Sequence, residues 1–327
     1  MGANSTNSDP SNREDAPRFS RQLLAFSLCG LIRLLSFTFL RVNHFYGACV
    51  GYVLYAFARD TKHVARTNLE IAFPKKDGQQ REAILKSSLR ELGKTITELG
   101  PIWCGSKKRV TSLIAGIHGQ HYVDEAQERG RGVIVLVPHF GAWELAGLHL
   151  SINFNIVSLY RPPRLSGIAD FVRKARERFG ANLVPTNISG VRALRSSLKN
   201  NNMVGILPDQ DPGEDGSVRA PFFGHSARTM VLVSRLAAKS KCAVVFLGVE
   251  RLPQGQGYQL HYLPADPAIA SSDELVAAAA LNKGVEDIIK IAPTQYLWSY
   301  KRFRGRVAGK IDPYKEAHQN KSIRRAA

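Results

Sequence analysis

Gly132-Val133-Ile134-Val135-Leu136-Val137 is the segment that most limits the fold. It is apolar, β-branched and without a polar alternate. A six-residue run is too short for a core helix, and a strand with one wet face would alternate. Such a run belongs to a strand covered on both faces, as in a parallel sheet with helices on either side. Met203-Val204-Gly205-Ile206-Leu207 and Ala243-Val244-Val245-Phe246-Leu247-Gly248-Val249 repeat the pattern, and Ile156-Val157-Ser158-Leu159 is a shorter strand of the same kind. Helical segments are predicted between them over residues 142–151, 167–179, 189–199 and 227–239, with a long one over 272–291. Tyr258-Gln259-Leu260-His261-Tyr262-Leu263 alternates and is expected as an edge or antiparallel strand. The order implies an α/β fold: a mixed, largely parallel sheet flanked by helices.

The first third of the chain reads differently. Residues 1–17 are polar, with no period, and are expected to form a disordered tail. Residues 18–60 hold an apolar stretch from Leu23 to Leu40, broken by Arg33 and flanked by Arg18, Arg21 and Arg41. Its length approaches a membrane span, but a central Arg costs about 3 kcal/mol on insertion scales. The segment is expected to anchor the protein at a membrane, spanning it or lying in the interface; a buried amphipathic helix is the alternative. A helix over 61–73 should stop at Pro74, and the spacing of Ile84, Leu85, Leu89, Leu92, Ile96 and Leu99 predicts another over 79–99. The main domain is expected over 61–306, with a basic tail over 307–327.

Charge adds a constraint on partners. The chain carries 45 Lys+Arg against 27 Asp+Glu, a net +18, which calls for a polyanionic partner: nucleic acid, anionic lipid or an acidic substrate. No zinc spacing, helix-turn-helix signature or basic–aromatic stacking motif supports nucleic acid, and that class would leave the apolar N-terminus unexplained. Cys29, Cys49, Cys104 and Cys242 are scattered, which argues against a disulfide framework or a zinc site and for buried free thiols in a reducing compartment.

His139 follows the buried strand by two residues and precedes a helix, so it falls at a strand's carboxyl end, where open α/β sheets bind ligands. Gly141 permits a tight turn and close backbone approach. Glu144 can meet His139 only with the histidine in the loop and the carboxylate in the first helical turn. A carboxylate accepting Nδ1–H would fix the tautomer and leave Nε2 as a base, acting on a substrate hydroxyl because no Ser or Cys nucleophile stands nearby. As bare spacing, H-x4-E is weak. Arg161 also follows a strand and could form a surface ion pair or contact an anion. Asp209 and Asp211 could be turn formers, a substrate-binding pair or, with further ligands, a cation site.

Several blocks, in order, resemble one family. Pro138-His139-Phe140-Gly141-Ala142-Trp143-Glu144 resembles the H-x4-[D/E] block of the lysophospholipid acyltransferase superfamily, and more narrowly that of the late acyltransferases of bacterial lipid A biosynthesis, the lauroyl/myristoyl transferase family. Thr67-Asn68-Leu69-Glu70-Ile71-Ala72-Phe73-Pro74, Tyr160-Arg161-Pro162, Pro208-Asp209-Gln210-Asp211-Pro212-Gly213 with Pro221-Phe222-Phe223-Gly224, and Ala292-Pro293-Thr294-Gln295-Tyr296-Leu297-Trp298 with Lys301-Arg302-Phe303 are similar to its other signatures. Where some members carry an Asn after Tyr-Arg-Pro, this chain has Pro163-Arg164.

The resemblance implies a glycerolipid acyltransferase-like fold and transfer of a fatty acyl chain from acyl carrier protein to a hydroxyl of a lipid A precursor, at the cytoplasmic face of the bacterial inner membrane. It implies no metal or organic cofactor and no nucleic acid. His139 would be the general base and Glu144 its orienting partner. Arg161 would stabilise an oxyanion or contact phosphate, Asp209 would support that Arg or help bind substrate, and Gly141, Arg164 and Asp211 complete the candidate substrate site. Arg173, Lys174, Arg176 and Arg178 on one helix, and the 301–306 cluster, are candidate surfaces for the acidic carrier protein. The alternatives are an acyltransferase for another lysolipid or glycolipid, and an inactive lipid-binding relative.

Overall fold

The computed structural model describes residues 18–163, 165–305 and 312–315, without the side chains of 18–21 and 166. Arg164, the expected tail over 1–17 and most of 307–327 therefore lie outside the described residues.

The chain opens with four helices, α1 (Arg18–Leu35), α2 (Leu40–Phe57), α3 (Arg59–Ala72) and α4 (Gly78–Cys104). Asp77 starts α4 with a capping box: its carboxylate accepts from the Gln80 backbone N–H and the Gln80 side chain accepts from the Asp77 N–H. The short α5 (Lys107–Ser112) and β1 (Ile114–His118) follow, then α6 (Gln120–Glu128), β2 (Val133–Leu136), α7 (Trp143–Asn153), β3 (Ile156–Tyr160), α8 (Ala169–Glu177), β4 (Asn182–Pro185), α9 (Ile188–Lys199) and β5 (Met203–Ile206). A hairpin of β6 (Ser217–Phe222) and β7 (His225–Met230) leads to α10 (Leu232–Ser240), β8 (Ala243–Arg251), β9 (Tyr258–Pro264) and α11 (Glu274–Ile291).

Seven strands form one sheet in the order β1-β9-β8-β2-β5-β3-β4, and β6 and β7 form a separate pair. All pairings in the large sheet are parallel except β8 with β9. Every residue of β2 and β5 is buried, because helices cover both faces. The mixed, largely parallel sheet matches the reading of the uninterrupted apolar runs. The alternating segment 258–263 is indeed antiparallel to β8, but β1 lies outside it, so β9 is not an edge. Residues 225–230 depart from the helix expected over 227–239: they pair with β6, and α10 starts only at Leu232. The hairpin turns on Phe223 and Gly224, both at positive φ (49° and 75°), the two-residue geometry that matches strand twist. Phe is an unusual residue there, so the turn carries no Asn-Gly signal. The four cysteines are free, but none is fully buried as expected: Cys29, Cys104 and Cys242 are half-buried and Cys49 is exposed.

The N-terminal helices pack on the carboxyl end of the parallel strands through α4. Gly93 lies so close to α2 that a Cβ there would stand 2.0 Å from the Gly47 carbonyl oxygen. Below, the guanidinium of Arg251, at the end of β8, bonds Glu98, Glu91 and Thr95 of α4 at 2.6–3.0 Å. Arg251 and Glu98 are both buried; an ion pair held by this many bonds fixes geometry more than it adds stability. The opposite side of α1 and α2 and the turn between them leave large apolar side chains in solvent, among them Phe26, Leu34, Phe45 and Phe57 on the helices and Phe37 and Phe39 in the turn. No helix among the described residues is long and apolar enough to cross a membrane.

Candidate active site

Strand register builds the site. Parallel pairing sets Leu136 of β2 opposite Ile206 of β5, and the Val137 N–H extends the ladder to the Ile206 carbonyl. Three residues beyond that rung stand His139 on one strand and Asp209 on the other. The Asp209 carboxylate takes both donors of His139: Nδ1–H at 2.8 Å and the backbone N–H at 3.0 Å. Asp209 is 2% exposed. Burial pushes its carboxyl up, but the His139 charge and the hydrogen bonds outweigh this and hold it below the usual range. With Nδ1 donating, the lone pair sits on Nε2, which faces the Gln210 amide at 3.1 Å. The Trp143 ring flanks the imidazole at 5.2 Å between centroids.

Glu144 is not the partner of His139, contrary to the expected dyad. Its carboxylate accepts from the Trp103 indole N–H at 3.0 Å and from the Arg176 guanidinium through both Nε and Nη2. Burial raises this carboxyl and the Arg176 charge lowers it further, leaving it below its ordinary value. The helix α7 aims Glu144 toward α4 and α8, away from Nδ1, as the five-residue spacing allows. Both oxygens of Asp209 accept from His139, the buried Tyr296 stands against the same carboxylate, and no bond joins Asp209 to Arg161 among the described residues. Arg161 is exposed at the carboxyl end of β3 and makes no ion pair or hydrogen bond among the described residues. Since β5 separates β3 from β2, Arg161 sits two strand spacings, about 10 Å, along the rim from His139.

The loop carrying His139 is held from below. Gly141 has φ +55°, and a Cβ there would stand 1.8 Å from the Val249 carbonyl oxygen, so only glycine fits. Its N–H donates to the Gln295 carbonyl and that of Ala142 to Val249; the Gly141 N–H is therefore committed to the scaffold and does not face an oxyanion. Leu297 N–H reaches the His139 carbonyl, and the Gln295 side chain brackets the Arg251 backbone, accepting its N–H and donating to its carbonyl. Asp211 forms a turn, its Oδ1 accepting from the Gly213 N–H, and its own N–H donates to the Tyr300 hydroxyl. Asp211 thus shapes the loop beside Gln210. No group of three metal-ligating side chains lies together among the described residues.

An apolar cleft opens beside Trp143 and Glu144, lined by Leu148, Leu150, Ile156, Leu159, Leu183 and Leu207, with Gly147 and Gly205 on its walls. A Cβ on Gly147 would meet nothing within 4 Å. The basic helix α8 is not a uniform docking face: Arg176 turns inward to Glu144 and Arg178 donates to the Trp103 carbonyl, leaving Arg173 and Lys174 outward. Arg302 of the second basic cluster is buried, bonded to Thr229 and Asn282.

The profile described as "Bacterial lipid A biosynthesis acyltransferase" matches residues 13–305, nearly the whole chain. The protein belongs to this bacterial lipid A biosynthesis acyltransferase family. As a lipid A family acyltransferase it is similar to the lipid A biosynthesis palmitoleoyltransferase of Escherichia coli (strain K12), with 31% identity over 271 residues covering 83% of this chain and 87% of that protein. The lauroyltransferase of the same organism is 28% identical over 80% of this chain and 85% of its own, and the myristoyltransferase 23% identical over 79% of each. These relatives carry names for three different acyl chains, so membership in the family leaves the chain length open. The sequence located the His139 loop and Asp209 at strand ends, but not that Asp209 is the histidine's partner, that Arg176 secures Glu144, or that Gln210 faces Nε2. Only Gln210 had a visible signal, its place inside the Pro208–Gly213 block.

Proposed function

We propose that this enzyme transfers a fatty acyl chain from acyl carrier protein to a hydroxyl of a lipid A precursor at the cytoplasmic face of the bacterial inner membrane. The observation that carries the chemistry is the Asp209–His139 pair at the sheet's carboxyl end, with Nε2 left as the base. The acceptor hydroxyl gives its proton to Nε2, its oxygen attacks the thioester carbon, and the imidazolium returns the proton to the departing sulfur. Asp209 fixes the tautomer and stabilises the imidazolium, a role in general base catalysis worth roughly 10²–10⁴-fold.

The apolar cleft beside Trp143 supports binding of the donor's acyl chain, with Glu144, locked by Arg176 and Trp103, on its lining. Arg161, a cation on the rim without a partner among the described residues, suits the oxyanion or a phosphate of the acceptor, and Arg164 follows it in the chain. The exposed apolar side of α1 and α2 supports membrane attachment by lying in the interface, which would bring the catalytic end of the sheet to a lipid acceptor.

The test is an assay of the purified wild type and His139→Ala with acyl carrier protein thioester and lipid A precursor. The wild type should transfer the chain and the variant should lose at least a hundredfold. Full activity in His139→Ala, or no wild-type turnover with any such acceptor, rejects the reading. Turnover with lysophosphatidate alone would move the enzyme to another lipid acceptor.

A further inference from the structure

Two consecutive residues grip the two nitrogens of the His139 ring. Asp209 takes Nδ1–H, and the next side chain, Gln210, stands 3.1 Å from Nε2. Because the carboxylate fixes the proton on Nδ1, Nε2 can only accept, so the amide N–H₂ of Gln210 is the donor. The lone pair that would abstract a proton is thus already occupied in the free enzyme. Trp143 covers the ring's flank, and the Asp211 N–H bond to the Tyr300 hydroxyl at 2.8 Å holds the loop just beyond Gln210.

We propose that Gln210 is a cap on the catalytic base, displaced by the acceptor hydroxyl, which keeps water from being activated against the acyl thioester when no acceptor is bound. The inference rests on the assignment of His139 as the base. In transfer, the acceptor oxygen forms the new ester bond to the thioester carbon, the C–S bond breaks, and the hydroxyl proton passes through Nε2 to the sulfur, giving ester and thiol. In the side reaction water replaces the hydroxyl, the same C–S bond breaks, and the products are free fatty acid and thiol. A single water is a poor competitor for the amide, since it brings one hydrogen bond and no binding energy of its own. A lipid acceptor brings the binding energy of its remote parts to displace the cap. Excluding water from a reactive acyl group is a recognised function of active-site closure, and here one neutral side chain performs it without adding charge beside the imidazole. Gln210 is in this sense a positioning residue that decides the partition between transfer and hydrolysis.

The experiment uses the full chain and lauroyl-acyl carrier protein, with and without lipid A precursor, measuring thiol release and acyl transfer separately. Gln210→Met keeps the length and removes the donor, and Gln210→Ala removes the side chain. Both should raise acceptor-independent thiol release relative to transfer by about tenfold, the size of one lost hydrogen bond. The added hydrolysis should vanish in the His139→Ala/Gln210→Met double variant, because it runs through the same base. A hydrolysis-to-transfer ratio within twofold of wild type in both single variants overturns the cap, as does extra hydrolysis that survives the double variant. A scaffold role alone would lower both reactions together and leave the ratio unchanged. If instead His139→Ala keeps transfer activity, the underlying assignment of the base has failed, an outcome distinct from either.

Discussion

Replacing Asp209 by Asn should cost about two to four orders of magnitude in kcat while leaving the fold intact. The carboxylate accepts two hydrogen bonds from His139, Nδ1–H at 2.8 Å and backbone N–H at 3.0 Å. An asparagine has one acceptor oxygen and one donor amide at the same places. The backbone N–H of His139 can only donate, so it claims the oxygen. The amide N–H₂ is then left facing Nδ1, which must become the acceptor, and the ring proton moves to Nε2. The base is lost with the side-chain volume conserved. Restoring the productive tautomer would set two donors against each other in a buried site, leaving one unsatisfied at about 1–3 kcal/mol and forfeiting a charge-assisted bond of about 1.5–3 kcal/mol. Together that is about 2.5–6 kcal/mol, or roughly 10²–10⁴-fold at 1.36 kcal/mol per decade; the same exchange in a Ser-His-Asp triad costs about 10⁴. Single-turnover assays at saturating donor and acceptor would measure the loss, with thermal melting as the control for folding. A kcat within tenfold of wild type, in a folded variant, would refute the assignment of Asp209 as the orienting acid.

Glu144→Gln should behave differently: removing the charge that neutralises Arg176 is expected to lower stability by about 1–3 kcal/mol, discounted because Arg176 is one-third exposed, and to reduce kcat less than Asp209→Asn does, as thermal melts and turnover read side by side will show. Gly147→Val puts two methyl groups into the apolar cleft and should shift donor preference to shorter chains, with about 0.8 kcal/mol lost per methylene that no longer fits; competition among carrier thioesters of different length is the assay, and an unchanged preference would place the chain elsewhere. His149 is buried and neutral, and burial pushes its imidazole from 6.5 down to about 4. Its folded value is the depressed one, so its stability contribution is complete above pH 6.5 and is lost as pH falls toward 4, by about 3 kcal/mol. Chemical denaturation across that window should show the loss in wild type and a flatter profile in His149→Phe. Phe37→Asp with Phe39→Asp, at side chains 83% and 84% exposed in the turn between α1 and α2, should weaken co-sedimentation with anionic vesicles at least tenfold without unfolding the protein; equal pelleting would remove that turn as the contact.

The sequence by itself determined the buried strands and the position of the His139 loop. Residues 133–137, 203–207 and 243–249 are apolar at every position, which only a strand covered on both faces can use, and Pro138-His139-Phe140-Gly141 had to sit at the carboxyl end of the first. The glycine at 141 read in the sequence only as a tight turn and a close backbone approach; the Val249 carbonyl oxygen that leaves no room for a Cβ is brought there by the tertiary structure. What only the tertiary structure decided was the company that His139 keeps. Chain proximity suggested Glu144, five residues on, but hydrogen-bond partners of a strand-end loop come from the neighbouring strand. That neighbour is β5, seventy residues away, reached after the chain has crossed to β3 and β4 and returned. Strand order and register are set by how helices pack across the whole sheet, and no local pattern encodes them. The same reason hid the inward turn of Arg176 within a helix that looked uniformly basic, and the β6–β7 hairpin, whose short strands carry too few apolar residues to show a period. The apolar residues of α1 and α2 were plain in the sequence. Which of them would face the protein and which would be left exposed depended on the close approach of α2 to α4 at Gly47 and Gly93.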